Sequence, residues 1–87
     1  MSLILQWSQD AWDEYLYWQV WDKRILKRIN LLIKDIMRDP FSGVGKPEPL
    51  KGNLRGFWSR RINDEHRLVY AVKHDSVCII SCRNHYL

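Results

Sequence analysis

Residues 57–83 read Phe57-Trp58-Ser59-Arg60-Arg61-Ile62-Asn63-Asp64-Glu65-His66-Arg67-Leu68-Val69-Tyr70-Ala71-Val72-Lys73-His74-Asp75-Ser76-Val77-Cys78-Ile79-Ile80-Ser81-Cys82-Arg83. Three runs rich in β-branched and aromatic residues, Phe57–Ile62, His66–Val72 and Val77–Arg83, are separated by two short polar segments, Asn63-Asp64-Glu65 and Lys73–Ser76. Such runs read as strands, and connections this short force neighbouring strands to run antiparallel, so the stretch predicts a meander. Side chains alternate between faces along a strand. On the middle run Arg67, Val69 and Ala71 therefore share one face, and Leu68, Tyr70 and Val72 the other.

Upstream the period changes. Leu3-Ile4-Leu5-Gln6-Trp7 reads as a short first strand, with Ser8 as the N-cap of a helix from Gln9 to about Val20. Asp10, Asp13 and Glu14 suit the positive end of that helix. Its stripe of Trp12, Leu16 and Gln19/Val20, flanked by Tyr15 and Trp18, fits either core packing or a partner-binding face. Asp22 is a second N-cap. From Lys23 to about Arg38, Ile25, Leu26, Ile29, Leu32, Ile33 and Ile36 keep helical spacing, opposite a face bearing Lys23, Arg24, Lys27, Arg28 and Lys34. That row is a solvated face or a nucleic-acid contact. The break at Trp21-Asp22 predicts an antiparallel helix hairpin. After Asp39-Pro40 the segment 41–50 reads as a stiff connector that holds one carboxylate, Glu48, between Pro47 and Pro49. Two helices followed by a meander make an α+β fold. Helices cover one face of such a sheet, and the other face, carrying arginines, is left for function.

The chain has 87 residues, which bounds it to one domain with a thin core. Five tryptophans are more than such a core hides, so an interface, with a partner or as a homodimer, is expected. The net charge of +4 lies wholly in the second half, since residues 1–39 balance six Lys/Arg against six Asp/Glu. A basic C-terminal half points to an anionic partner, with nucleic acid first. Cys78 and Cys82 fall on one predicted strand and one face, about 13 Å apart, too far for a disulfide. Without a second Cys or His pair at zinc spacing they read as small buried residues of a reducing compartment. No apolar run nears a membrane span and no signal-peptide pattern begins the chain, so the expected location is the cytoplasm.

The candidate chemistry is assembled from Glu48, Lys51, Arg61, Arg67, His85 and Tyr86. Cutting RNA without a metal needs a base for the 2′-hydroxyl proton, cations for the charge growing on the phosphate, and an acid for the departing 5′-oxygen. Carboxylate, arginine and histidine are the residue types for those three tasks. The second half holds no carboxylate cluster, only turn residues besides Glu48, so neither a metal nor another cofactor is expected. His66 and His74 stand at turn–strand junctions and read as solvent or packing residues.

The stretches Lys46-Pro47-Glu48-Pro49-Leu50-Lys51, Gly56-Phe57-Trp58-Ser59-Arg60-Arg61-Ile62 and Glu65-His66-Arg67-Leu68-Val69-Tyr70 resemble the YoeB toxins of bacterial toxin–antitoxin systems, within the RelE/ParE superfamily. Trp12-Asp13-Glu14-Tyr15-Leu16-Tyr17-Trp18, Asp22-Lys23-Arg24-Ile25 and the ending Cys82-Arg83-Asn84-His85-Tyr86 are similar too, in order along essentially the whole chain. The resemblance implies a RelE-like, microbial-RNase-like fold with two N-terminal helices on one face of a small, mainly antiparallel twisted sheet. It implies a toxin that cleaves mRNA in the A site of the small ribosomal subunit and is held inactive by a YefM-like antitoxin. It assigns Glu48 as general base, His85 as general acid, Arg67 to the phosphate, Tyr86 beside the acid, and Lys51, Arg61 and Arg83 as RNA-contacting cations. An antitoxin segment that folds on binding would find part of its seat on the aromatic helix surface. Two positions depart from the family's pattern: Leu87 follows the His-Tyr pair, and Asn84 stands where an aromatic is expected. Two other functions suit the basic half: a ParE-like toxin that inhibits gyrase without cutting RNA, and a plain RNA-binding module. The Glu/Arg/His set favours the nuclease over both.

Overall fold

The computed structural model describes residues 3–84. Strands β1 (Ile4–Trp7), β2 (Glu48–Pro49), β3 (Phe57–Arg61), β4 (Arg67–Val72) and β5 (Ser76–Ser81) form one sheet in the order β1-β5-β4-β3-β2. Helices α1 (Gln9–Trp21) and α2 (Lys23–Arg38) lie between β1 and β2 in the chain. The predicted meander is present as antiparallel β3–β4 and β4–β5 pairs, and β1 adds to β5 in parallel.

Both predicted caps are made. Ser8 accepts from the Ala11 amide, and Asp22 accepts from the amides of Arg24 and Ile25, so each helix starts with its first donors satisfied. Ser8 also donates its hydroxyl to the Ile80 carbonyl at 2.9 Å, which fixes the start of α1 on β5. The helices form the expected hairpin, with Tyr15 donating to Asn30 at 2.6 Å between them.

The core lies between the helices and one face of the sheet. Ile29, Leu32, Ile33 and Ile36 come from α2, Leu68 and Tyr70 from β4, and Val77 and Ile79 from β5. On α1, however, Ala11 and Trp18 are the buried residues, while Trp12 (41% exposed), Leu16 and Val20 (72%) face outward. The stripe read from the sequence is therefore a surface, and core packing holds for Trp18 but not for Trp12. Apolar residues occur on both sides of α1, so its pattern does not rank the two faces. The contact with β5 does, because small Ala11 lets the helix backbone approach Cys82, whose Sγ lies 3.6 Å from the Ala11 carbonyl oxygen.

Three other expectations are corrected. Segment 41–50 is not only a connector, since Glu48 and Pro49 pair antiparallel with Ser59 and Trp58 as an edge strand. An edge tolerates proline because one side of the strand needs no donor. The second correction concerns Cys78 and Cys82, which do not share a face. Val69 pairs with Ser81 but Tyr70 with Ile79, so Ile80 is an extra residue. That bulge resets the alternation and turns Cys82 into the core, while Cys78 stays half-buried. The Ile80 carbonyl accepted by Ser8 belongs to this bulged residue. The sheet face away from the helices is also less open than its pattern suggests, with Ser59 and Val69 only 1% and 3% exposed on it.

Arg60, with no exposed surface, organises the segment that leads to β2. Its guanidinium donates to Asp35 at 2.5 Å and to the carbonyls of Asp39, Ser42 and Val44, and its Nε donates to the Tyr70 hydroxyl. Tyr70 donates onward to the Pro40 carbonyl at 2.6 Å. At Gly45 a left-handed backbone (φ +84) brings the chain against β3, where a Cβ would sit 2.9 Å from Leu32 Cδ2 and 3.1 Å from the Arg61 carbonyl. The Gly45 carbonyl accepts from the Arg61 amide at 2.7 Å, three residues before β2 begins.

Two measurements follow from this hub. Tyr70→Phe removes a buried hydroxyl that both donates and accepts, and should cost about 1–2 kcal/mol in urea unfolding. The Asp35 carboxyl is held down at about 2 by the Val44 amide first and then by Arg60. The folded chain thus binds that proton less readily than the unfolded chain, whose carboxyl titrates near the ordinary value of about 3.9. Its contribution is complete above that ordinary value and lost as pH falls toward 2. In thermal melts across this range, the gap between wild type and Asp35→Asn should narrow as the pH drops.

Candidate functional site

The register brings the predicted base and two predicted cations onto one face. Glu48 lies opposite Ser59, Ser59 opposite Val69, and Arg61 opposite Arg67. Residues directly opposite in antiparallel strands share a face, as do residues two apart on one strand. Glu48, Arg61 and Arg67 therefore all project from the side away from the helices, with Ser59 and Val69 as a buried floor. Sheet spacings place the Glu48 backbone about 8 Å from that of Arg61 and about 12 Å from that of Arg67. Two arginines and a carboxylate can close on one phosphate from those positions.

Each side chain is held differently. Glu48 is exposed on the edge strand, and with Pro49, Leu50 and Lys51 it lines a shallow open pocket. Lys51 is exposed just after β2, where the Leu50 amide still bonds to the Phe57 carbonyl. Arg61 is exposed, and its carbonyl accepts from the Arg28 guanidinium at 3.1 Å, which ties α2 to this edge. Arg67 is half-buried, and its Nη1 donates to the carbonyls of Asn63 at 2.6 Å and His66 at 3.2 Å. The β3–β4 turn thus restrains the guanidinium beside Arg61. Neighbouring positions explain why Arg61 and not Arg60 faces outward: alternation on β3 sends one into the core and the other to the surface.

Arg83 is not brought to this group. Its guanidinium lies 3.8 Å from the centre of the Tyr17 ring on α1. His85, Tyr86 and the additional Leu87 lie outside the described residues. The Asn84 carbonyl accepts from the Arg67 amide at 3.1 Å, and its backbone is left-handed (φ 67). Asparagine tolerates that conformation far better than an aromatic residue does, which gives this departure from the family's pattern a physical basis.

Sequence reasoning passed over the groups that hold this segment. Glu14, read as a helix-dipole residue, accepts from the Cys82 amide at 2.8 Å. Burial pushes its carboxyl above the ordinary value, and burial likewise pushes the Cys82 thiol up to about 12. Trp18 donates to the Cys82 carbonyl, and His66, 6% exposed, accepts from the Asn84 amide. The signal was present in the spacing, because Ala11, Glu14 and Trp18 stand at i, i+3 and i+7 and put a carboxylate in the buried stripe of α1. His66 is a packing residue as expected, and His74 is exposed. Among the described residues no three of His, Cys, Asp and Glu gather as a metal ion would require, and no described helix is long and apolar enough to cross a membrane.

The geometry has close counterparts. Residues 7–86 match the model of the YoeB-like toxin of bacterial type II toxin-antitoxin system. Toxin YoeB of Escherichia coli K12 is 68% identical over 86 residues, covering 99% of this chain and 100% of that protein. A YoeB/ParE toxin from Agrobacterium tumefaciens superposes with a TM-score of 0.92 at 48% identity, over 97% of this chain and 100% of the other. The YoeB of a YoeB–YefM complex from Staphylococcus aureus does so at 0.88 and 47%, over 99% and 100%. With its two helices against a five-stranded, mainly antiparallel sheet, the chain belongs to the YoeB-like toxins of bacterial type II toxin–antitoxin systems.

Proposed function

We propose that this chain is a ribosome-dependent mRNA endoribonuclease that cuts mRNA in the ribosomal A site, stops translation in the cytoplasm, and is neutralised by a cognate YefM-like antitoxin. The observation that carries this reading is the register of β2, β3 and β4, which sets Glu48, Arg61 and Arg67 on one sheet face. A gyrase-binding or plain RNA-binding role needs the cations but gives no task to a carboxylate fixed among them. The exposed row Trp12, Leu16 and Val20 on α1 is a seat for part of the antitoxin.

In this mechanism Glu48 takes the proton of the 2′-hydroxyl and the 2′-oxygen attacks the adjacent phosphorus. The bond from phosphorus to the 5′-oxygen breaks, and His85 supplies the proton to that leaving oxygen. The products are a 2′,3′-cyclic phosphate and a 5′-hydroxyl. Arg67, with Lys51 and Arg61, opposes the negative charge that grows on the phosphate oxygens. Tyr86 stands next to the acid in the chain and is assigned to orient it. No metal ion enters the sequence of steps.

Primer extension on mRNA translated by programmed ribosomes tests the assignment. His85→Gln and Glu48→Ala should each slow cleavage about 10²- to 10⁴-fold. Because Glu48 is exposed on an edge strand, its replacement should leave the melting temperature unchanged. A phosphorothioate at the scissile position should show no rescue by Mn²⁺. Undiminished cleavage by both variants overturns the roles given to Glu48 and His85. Inhibition of gyrase with no cut in translated mRNA reverses the reading in favour of the ParE-like alternative.

A further inference from the structure

Four groups from α1 and the start of β4 converge on the backbone that leads out of β5. The Cys82 amide donates to Glu14 Oε1 at 2.8 Å, and Trp18 Nε1 donates to the Cys82 carbonyl at 2.9 Å. Two residues on, the Asn84 amide donates to His66 Nδ1 at 2.7 Å, and the Arg67 amide donates to the Asn84 carbonyl. Trp18 and His66 also meet each other edge to face, with ring centres 4.9 Å apart. The helix-side donor and the strand-side acceptor therefore brace one another. Between them the Arg83 guanidinium lies over the Tyr17 ring, 3.8 Å from its centre.

Terminal segments ordinarily fray unless something ties them down. Apolar packing alone would be the cheaper tie, since burying a carboxylate is costly unless hydrogen bonds compensate. Here Glu14 sits in the buried stripe of α1 and has the Cys82 amide as its compensating donor. His66 can accept at Nδ1 only with its proton on Nε2, which leaves that proton toward Glu65 Oε1, 3.7 Å away. The bonds fix the path and the rotational setting of residues 82–84, and not only their depth. At Asn84 the backbone is left-handed, and its carbonyl is held by the Arg67 amide.

We propose that Glu14, Trp18 and His66 are positioning residues that clamp segment 82–84 beside Arg67, the segment that His85 follows in the chain, and through it support the acid step. None of the three touches substrate. The inference rests on the nuclease reading for its catalytic consequence, and on the geometry alone for the clamp.

Paired variants separate the two. Glu14→Met and His66→Phe keep the bulk and remove the acceptor. Glu14→Gln and His66→Asn return an acceptor oxygen at the same reach. Trp18→Phe removes only the indole donor and is the gentlest change to the fold. Amide hydrogen exchange is followed residue by residue in the full chain, alongside cleavage of translated mRNA under saturating and limiting conditions. In Glu14→Met the Cys82 amide, and in His66→Phe the Asn84 amide, should exchange about 10-fold faster, while Leu68 and Tyr70 on β4 keep wild-type protection. The cleavage kcat should fall up to about 10²-fold with KM nearly unchanged, and the acceptor-restoring variants should recover both readouts. Unchanged exchange at Cys82 and Asn84 overturns the clamp. Faster exchange with wild-type kcat overturns its positioning role. If a variant loses β4 protection as well, Trp18→Phe decides by the same two readouts. Should the wild type cut no mRNA, the nuclease reading fails and the positioning role with it, whereas the exchange data still decide whether the clamp exists.

Discussion

A guanidinium with no exposed surface needs a partner for its charge and acceptors for its donors. Arg60 finds Asp35 on α2, the Tyr70 hydroxyl on β4, and three carbonyls between Asp39 and Val44. Helix, sheet and connecting loop are thus joined at one buried group. If any of these elements moved apart, a charge would be left unmatched in the interior. The loop is consequently held along β3, Gly45 reaches the Arg61 amide, and the chain enters β2 in the register that puts Glu48 opposite Ser59. The exposed carboxylate of the candidate site, on β2, owes its position to a buried ion pair on the opposite face of the neighbouring strand β3.

The last described segment of the chain is set by a local irregularity. The extra residue at Ile80 reverses the alternation at the end of β5. Its carbonyl is taken by Ser8, so the bulge is also the attachment point for α1. Reversed parity then sends Cys82 inward, where Glu14 and Trp18 receive its amide and carbonyl. The same α1 face that buries Ala11 and Trp18 therefore holds the strand from which the chain end leaves. Its opposite face, with Trp12, Leu16 and Val20, is left exposed, as the high tryptophan count had foreshadowed.

Much of this was legible in the linear pattern. Ser8 and Asp22 mark both helix starts, α2 keeps its apolar spacing over its whole length, and the three strands of the meander fall within a residue or two of their expected limits. Glu48 stood out because prolines bracket it, and Arg67 because strand alternation puts it on the face with Val69 and Ala71. The misplaced details turn on contacts that no local pattern records. α1 carries apolar residues on two sides, so the choice between Trp12 and Trp18 for the core depended on which side met β5. Segment 41–50 read as a stiff connector, and a two-residue edge at 48–49 carries too little pattern to say otherwise. Nothing local marks Ile80 as a bulge, since Val77–Ser81 reads as a regular run.

The sequence by itself determined the element types, their order, the α+β class and the residue types available for acid, base and phosphate contact. Those follow from hydrophobic period, caps and turn chemistry, all of which act over a few neighbouring residues. Only the tertiary structure decided which arginine serves which purpose. Arg60 is sealed in the core, Arg61 and Arg67 face the carboxylate, and Arg83 lies over Tyr17. A guanidinium's role depends on what lies opposite it, and those partners come from strands and helices up to 66 residues away along the chain, as Arg83 is from Tyr17. No local pattern carries that information.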